Sequence, residues 1–304
     1  MKRSHFIKTA AAASLAIGSL TSLTNSNKKS VTILHTNDTH SRIDPFPADD
    51  KNYPNCGGIV QRLNMIQKIR RETEHVLLLD AGDIFQGTPY FNLYRGEVEL
   101  KAMSAMSYDA ATMGNHDFDA GLDGFEKVLR LANFPFLCAN YDFTNTPLAG
   151  KTEPYHVFVK DQFRIGVFGI GVNLKGLVAA KLYGETQYLD PIAKAQEQAD
   201  FLRENEKCHL VICLSHLGFT PKLNPMCDKV LASSTHGIDC IIGGHTHTFM
   251  QKPENFKNLK GESVIVNQVG WAGLVLGRLD FFFDEDSNVN DQTYFSYGEN
   301  IPIS

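Results

Sequence analysis

The sequence predicts an α/β domain built around a largely parallel inner sheet. Short runs rich in apolar and β-branched residues alternate along the chain with segments of helical periodicity, which is the pattern of strand–helix–strand units. Runs such as VTIL, VLLL and LVIC are apolar almost throughout, as expected for strands that are covered on both faces. No linker rich in proline, glycine or serine interrupts residues 27–304, so we predict that they form a single domain.

The individual elements follow from these patterns in chain order. Strands are predicted at 31–36, 76–80, 136–139, 163–170, 209–214, 238–242, 263–268 and 275–283. Helices are predicted at 58–71, 97–107, 121–133, 192–206 and 227–235. The first of these helices has apolar residues at the helical spacing and ends in a basic turn. Late strands such as LGRLDFFFD, which are apolar almost continuously, suggest a second sheet packed over the first.

The composition is that of an ordinary globular protein. Of the 304 residues, 43% are apolar and 21% are charged, which is enough apolar material for a substantial core. The formal net charge is −5 and the sequence contains no basic stripe, so nothing favours a nucleic-acid polymer as partner. The six cysteines show no CxxC spacing, and Cys138, Cys213 and Cys240 lie in strand-like runs where cysteine packs as a small apolar residue.

Residues 1–26 are predicted to be an export signal. The basic residues Lys2, Arg3 and Lys8 precede a stretch of apolar and small residues that is too short and too weakly apolar to span a membrane. The start resembles a twin-arginine signal, with Lys2 where the first arginine usually stands. We therefore expect a protein exported to the periplasm or the cell exterior without a stable membrane anchor. A frayed N-terminal helix is the alternative.

Most of the clusters of polar residues that commonly bind metal ions follow a predicted strand. Because open α/β sheets collect their ligand sites at the carboxyl ends of the strands, we expect these side chains to converge on one pocket. The candidate metal ligands are Asp38 and His40 in NDTH, Asp83 in AGDIFQG, Asn115 in MGNHDFD, His216 in LSHLG, and His245 and His247 in GGHTH.

This ligand set favours the hydrolysis of a phosphate ester by two divalent cations. Two ions about 4 Å apart can lower the pKa of a water from about 15.7 toward 7, neutralise charge on phosphorus and assist the leaving oxygen. Asp83 is the natural carboxylate to bridge them, and the mixture of His, Asp and Asn suits zinc, manganese, iron or cobalt better than calcium or magnesium. His116 is predicted to be a transition-state stabiliser or general acid that is oriented by Asp119.

With these motifs the chain resembles the calcineurin-like metallophosphoesterases, specifically the catalytic half of the 5′-nucleotidase family. The motifs DxH, GDxxxG, GNHD, a lone histidine and GHxH occur in the family's order, and NHDFD matches its NHEFD form except for Asp117. The segments GGIVQR, FQGTP and CANYD extend the resemblance over about residues 30–283. It implies a four-layer α/β/β/α sandwich.

The resemblance also implies how the candidate residues are distributed in the site. By that resemblance Asp38, His40, Asp83 and His247 surround one ion, and Asp83, Asn115, His216 and His245 surround the other. His116 and Asp119 would form the catalytic dyad.

The family's second domain, which holds the nucleoside, has no counterpart among these motifs. The sequence continues for only about twenty residues beyond the last predicted strand, so a separately encoded substrate domain is one possible partner. Alternative activities on the same site are those of a 2′,3′-cyclic phosphodiesterase, a nucleotide-sugar hydrolase or a sulfur-ester hydrolase. A non-enzymatic alternative is a phosphoesterase-fold binding subunit such as that of the retromer.

Ordinary structural roles are predicted for the remaining polar and aromatic residues. The other histidines are predicted to be surface or packing residues, and Arg62 and Gln86 to have helix and loop roles. Phe281, Phe282 and Phe283 are most simply core and edge-strand residues.

Overall fold

Two mixed β-sheets pack face to face and are covered by helices on both outer sides. The structure is a computed structural model that describes residues 29–221 and 225–298, so the predicted export signal lies outside the described residues. The strands are β1 Ser30–Thr36, β2 Val76–Asp80, β3 Ala110–Ala111, β4 Tyr141–Asp142, β5 Tyr155–Lys160, β6 Phe163–Ile170, β7 Gln187–Tyr188, β8 Leu210–Ser215, β9 Cys240–Gly243, β10 Glu254–Lys257, β11 Ser263–Asn267, β12 Leu276–Phe283 and β13 Val289–Tyr297.

The helices lie between these strands and on their outer faces. They are α1 Ile59–Glu72, α2 Pro89–Tyr94, α3 Glu97–Ala105, α4 Leu122–Leu129, α5 Ala180–Tyr183, α6 Pro191–Glu204 and α7 Asp228–Ser234, with a short 3₁₀ turn at His116–Phe118. Helix α6 begins where expected for its sequence, because Pro191 occupies the first turn and the Asp190 side chain accepts a hydrogen bond from the Ala193 amide at 2.7 Å.

Both large sheets are mixed: the first is antiparallel at one edge and the second at both edges. The first sheet has the order β13-β12-β1-β2-β3, with β1, β2 and β3 parallel and β12 antiparallel to β1. The second has the order β10-β11-β9-β8-β6-β5, with β6, β8, β9 and β11 parallel. Strands β4 and β7 form a separate two-stranded sheet.

The apolar core is divided into layers by the alternation of side chains along the strands. In β2, Leu77 and Leu79 pack between the two sheets, whereas Leu78 packs with the helices on the outer side. In β8, Ile212 packs between the sheets and Val211 packs beneath the helical layer that contains α6 and α7. This arrangement is the α/β/β/α sandwich that the resemblance implied, and the prediction of strands covered on both faces is confirmed.

Most of the predicted strands and helices are present, and the second sheet exists, but LGRLDFFFD, the late strand that suggested it, belongs to the first sheet. Strand β12 pairs with β1 in the first sheet, and the additional strand β13 pairs with β12, so Phe281–Phe283 lie in an interior strand. The predicted strand 136–139 is reduced to isolated bridges at Phe136 and Leu137. Pairing partners of this kind lie far apart in sequence, and local periodicity carries no information about them.

Several elements were not predicted. Strand β5 is half-exposed and β10 is largely exposed, so neither has the apolar run that marks a buried strand.

Within the described residues no helix is long and apolar enough to cross a membrane. Cys138, Cys213 and Cys240 are buried free thiols that pack in the core, as predicted.

Candidate metal centre

All seven candidate ligands lie just beyond the carboxyl ends of parallel strands. They gather at one end of the two-sheet sandwich. The first sheet supplies Asp38 and His40 after β1, Asp83 after β2 and Asn115 after β3. The second sheet supplies His216 directly after β8, and both His245 and His247 after β9. The predicted convergence of these residues follows from the parallel topology of both sheets.

Asp38, His40 and His247 form one group that could hold a metal ion. The Nε2 atoms of the two imidazoles are 3.0 Å apart, and His247 Nε2 is 3.4 Å from Asp38 Oδ1. His40 Nδ1 lies 3.3 Å from the carbonyl oxygen of Phe85, and donation to that oxygen leaves a lone pair on His40 Nε2. Two imidazole nitrogens at this separation can share a proton or bind one cation, and with the Asp38 carboxylate beside them the group fits a cation.

Asp83, His216 and His245 form a second group next to the first. His216 Nδ1 donates to the Ala81 carbonyl oxygen at 2.7 Å, which directs Nε2 toward the carboxylates. Asp83 Oδ2 is 3.1 Å from His216 Nε2 and 3.8 Å from His40 Nε2, so this carboxylate reaches both groups. Asp83 is therefore close enough to contact an ion in either group.

Asn115 has a buried side chain whose Oδ1 atom has no hydrogen-bond partner among the described residues. The next residue in the chain donates its backbone N–H to Asp83 Oδ1 at 2.8 Å, which places Asn115 beside the second group. Leaving a buried carbonyl oxygen unsatisfied costs about 1–3 kcal/mol. A cation held by Asn115 would satisfy this oxygen.

The electrostatics of the two groups favour bound positive charge. Burial opposes ionisation of Asp83, but the neighbouring His216 outweighs it and lowers the pKa of the carboxyl below its ordinary value. Burial likewise lowers the pKa of His216, but Asp83 and Asp38 outweigh it and raise that pKa to about 10. Burial lowers the pKa of His245 to about 4, so that this imidazole is neutral at pH 7 and retains a lone pair for a metal ion.

His116 and Asp119 form the predicted hydrogen-bonded pair beside these groups. His116 Nδ1 lies 2.7 Å from Asp119 Oδ2, and the His116 ring centroid is 5.3 Å from that of His40. The hydrogen bond to Asp119 raises the pKa of His116 above its ordinary value, which favours the protonated form. Because Asp119 occupies Nδ1, the Nε2 atom is the one available to a substrate.

Asp117 supports the site structurally, and the sequence did not predict this role. Its buried carboxylate accepts hydrogen bonds from the backbone amides of Asp83, Ile84, Phe85 and Gly114, at 2.8–3.1 Å. One side chain thus holds together the loops that follow β2 and β3. The sequence signal available was a carboxylate two residues after Asn115, and nothing local distinguishes a metal ligand from an acceptor of backbone amides.

Trp271 was also missed, although it is the single tryptophan of the chain. Its indole lies parallel to the imidazole of His247, with an interplanar angle of 7° and ring centroids 5.7 Å apart. Arg62 is a buried helix residue in α1, in agreement with its predicted role, and Gln86 lies in the loop that follows Asp83 with a left-handed φ of 65°.

The family of the chain is shown by comparison with known proteins. The calcineurin-like phosphoesterase family matches residues 31–249. The chain therefore belongs to the calcineurin-like phosphoesterases, in agreement with the resemblance seen in its motifs.

Within this family the chain is similar to 5′-nucleotidases. It is 34% identical to the 5′-nucleotidase of Bos taurus, with the match covering 85% of this chain and 47% of the bovine protein. It is also 34% identical to the trifunctional nucleotide phosphoesterase protein YfkN of Bacillus subtilis, with a match covering 84% of this chain and 18% of that protein. The chain thus spans about half the length, or less, of these relatives.

Solved structures of nucleotidases are also similar to this chain. The 5′-nucleotidase precursor from Thermus thermophilus superimposes with a TM-score of 0.79 at 30% identity, covering 88% of this chain and 54% of that one. The NAD nucleotidase of Haemophilus influenzae superimposes with a TM-score of 0.77 at 28% identity, covering 87% and 49%.

Proposed function

We propose that the chain is an exported two-metal phosphohydrolase that releases phosphate from nucleotides. The observation that carries this proposal is the pair of adjacent ligand groups that Asp83 reaches together, with the His116–Asp119 pair beside them. The similarity to proteins named 5′-nucleotidases supports a nucleotide as the substrate class.

In this proposal the site residues bind two divalent cations, which are zinc, manganese, iron or cobalt. Asp38, His40, Asp83 and His247 hold one ion, and Asp83, Asn115, His216 and His245 hold the other. When bound, the ions supply an acidified water and neutralise charge on the phosphoryl group. The side chains contribute fixed geometry, since His40 and His216 already have their Nδ1 atoms engaged by backbone carbonyls.

His116 acts on the substrate rather than on an ion. Asp119 fixes its ring and favours the imidazolium, so Nε2–H can donate to a phosphoryl oxygen or deliver a proton to the leaving oxygen. The side chain of His116 is 36% exposed, which leaves it open to a substrate that enters from solvent.

The function is tested by removing and restoring metal. Protein stripped with a chelator is expected to lose hydrolysis of adenosine 5′-monophosphate and to regain it as about two equivalents of manganese, cobalt or zinc are bound. Full activity in protein that contains no transition metal would refute the proposal. The variant Lys151→Ala is a suitable control, because Lys151 pairs with Glu126 on the surface and should affect neither metal content nor rate.

The similarity to an NAD nucleotidase supports a second candidate, a hydrolase of phosphoanhydrides in dinucleotides or nucleotide sugars. Cyclic nucleotides and sulfur esters should be included in the same assay. A binding subunit without activity is the remaining alternative, and the complete set of nine residues together with the formed His116–Asp119 hydrogen bond supports an enzyme instead.

Export and a partner chain are further parts of the proposal. Export rests on the sequence pattern of residues 1–26, and N-terminal sequencing of the natively produced protein should give a start near residue 27. An intact Met1 on cytoplasmic protein would contradict export. A separately encoded substrate domain, if present, should raise kcat/KM for nucleotides selectively when it is added.

A further inference from the structure

The ring of His247 is held differently from those of His40 and His216. His40 and His216 each direct Nδ1 at a backbone carbonyl oxygen, the usual way in which a protein fixes the orientation of a metal-binding imidazole. For His247, the hydrogen bonds of the described residues include none at Nδ1, and its side chain is 40% exposed. The indole of Trp271 lies parallel to the His247 ring in an offset stack, with ring centroids 5.7 Å apart.

Trp271 is itself fixed relative to the first ligand group. The neighbouring Ala272 amide donates to the Asp38 carbonyl oxygen at 2.7 Å, and Asn37 Nδ2 donates to the Gly270 carbonyl oxygen at 2.7 Å. The ring of Phe46 meets the indole edge-on, with centroids 5.9 Å apart. The turn that carries Trp271 is therefore tied to the segment that carries Asp38.

We propose that Trp271 is the positioning residue for His247, holding its imidazole plane for a cation in the Asp38/His40/His247 group. The inference rests on the two-metal part of the proposed function. Coordination to a cation draws electron density out of an imidazole ring, and an electron-rich indole attracts such a ring more strongly than an uncoordinated one. Stacking on Trp271 thus does for His247 what a hydrogen bond at Nδ1 does for His40 and His216.

This geometry makes the indole a reporter of the first group. Trp271 is the single tryptophan, so emission excited where tyrosine does not absorb comes from this ring alone. Open-shell ions such as Co²⁺ quench an indole at contact distance, whereas closed-shell Zn²⁺ quenches far less. Binding of Co²⁺ through His247 should therefore remove most of the Trp271 emission.

The first experiment titrates metal-free full-length protein with Co²⁺ while bound metal is measured independently. Quenching should track occupancy of the first group, and the variant His247→Ala should lose it while the second group still takes up an ion. Unchanged emission with two equivalents of Co²⁺ bound would overturn the inference. Quenching that persists undiminished in His247→Ala would also overturn it, because the ion sensed would not be one that His247 holds.

The second experiment compares variants of the indole. Trp271→Leu should weaken binding of one of the two ions by about 10–100-fold, the range for loss of a residue that orients a metal ligand, and leave the other unchanged. Trp271→Phe should restore most of the affinity because it keeps a stacking face. The control Phe201→Leu removes a half-exposed aromatic residue of α6 that packs on Tyr155, and should not alter metal affinity.

The outcomes separate the inference from the proposed function. If Trp271→Leu folds, as judged by circular dichroism, and binds both ions as tightly as the original protein, Trp271 does not position His247. If Co²⁺ binds and quenches and Trp271→Leu loses affinity for one ion, but no phosphate ester is hydrolysed, the inference stands and the proposed activity fails.

Discussion

At the scale of single residues, the candidate metal centre is built from strained backbone. Left-handed φ values cost L-residues of order 1–3 kcal/mol each and are retained where the surroundings enforce them, often at functional sites. Five of the seven candidate ligands have such values, namely Asp38 (49°), His40 (46°), Asp83 (55°), His245 (71°) and His247 (51°). These conformations bend the chain sharply beyond β1, β2 and β9, so that side chains from two sheets lie at one site.

Asp83 is expected to be the most sensitive ligand. The variant Asp83→Ala should lose both ions and at least about 10³-fold in hydrolysis, equal to ~4 kcal/mol, because this carboxylate lies within reach of both groups. His247→Ala should lose only one ion. Metal analysis after gel filtration measures both, and an Asp83→Ala protein that keeps two ions would exclude the bridging role.

His116 is expected to act without holding metal. The variant His116→Ala should retain both ions and lose about 10²–10⁴-fold in kcat, the range for a positioned proton donor. Asp119→Asn should lose less, because the amide can still accept from Nδ1 and orient the ring. Kinetics and metal content measured on the same samples decide this, and an emptied metal position in His116→Ala would make His116 a ligand.

At the scale of the elements, the loops after β2 and β3 depend on Asp117. We expect Asp117→Ala to lower the free energy of unfolding by about 2–4 kcal/mol, since it leaves buried backbone amides without an acceptor. Asp142→Ala is the matched control, because that carboxylate accepts from Thr144 at an exposed turn and its loss should cost less than about 1 kcal/mol. Urea unfolding measures both, and equal stabilities would show that Asp117 is dispensable.

Local sequence patterns predicted some of the strands and missed others. Strands β2 and β8 are buried along their whole length, and their apolar runs marked them clearly. Strand β13 was not predicted, because residues 289–295 are largely exposed and the strand pairs with β12 at the edge of the sheet. Strand β13 pairs with β12 through backbone hydrogen bonds, which do not require a particular pattern of side chains.

At the scale of the whole molecule, substrate preference is the property that these residues specify least. The chain covers 47% of the bovine 5′-nucleotidase, so contacts made by the rest of that relative are not supplied by these 304 residues. Binding energy from the non-reacting part of a substrate is what positions the reacting phosphate. Expressed by itself, the chain should therefore hydrolyse p-nitrophenyl phosphate with a kcat/KM within about tenfold of that for a nucleoside monophosphate.

A panel of nucleotides, cyclic nucleotides, nucleotide sugars and generic esters measures this preference directly. A preference above about a hundredfold for one nucleotide, or ~2.7 kcal/mol, would show that base recognition is built within this chain. In that case the contacts should be sought among side chains close to His116 and Trp271.

The sequence by itself determined the buried strands, the phosphoesterase family and the identity of all nine candidate site residues. These features are local, since most of the motifs follow a run whose apolar pattern marks its strand. The motif GNHD was recognised by its own residues, because the two-residue strand β3 before it was not predicted. Only the tertiary structure decided that β12 returns to pair with β1, that Asp117 binds four backbone amides, and that Trp271 stacks on His247. Each of these arrangements joins segments that are distant in sequence. It forms only when the sheets have assembled, so no single segment specifies it.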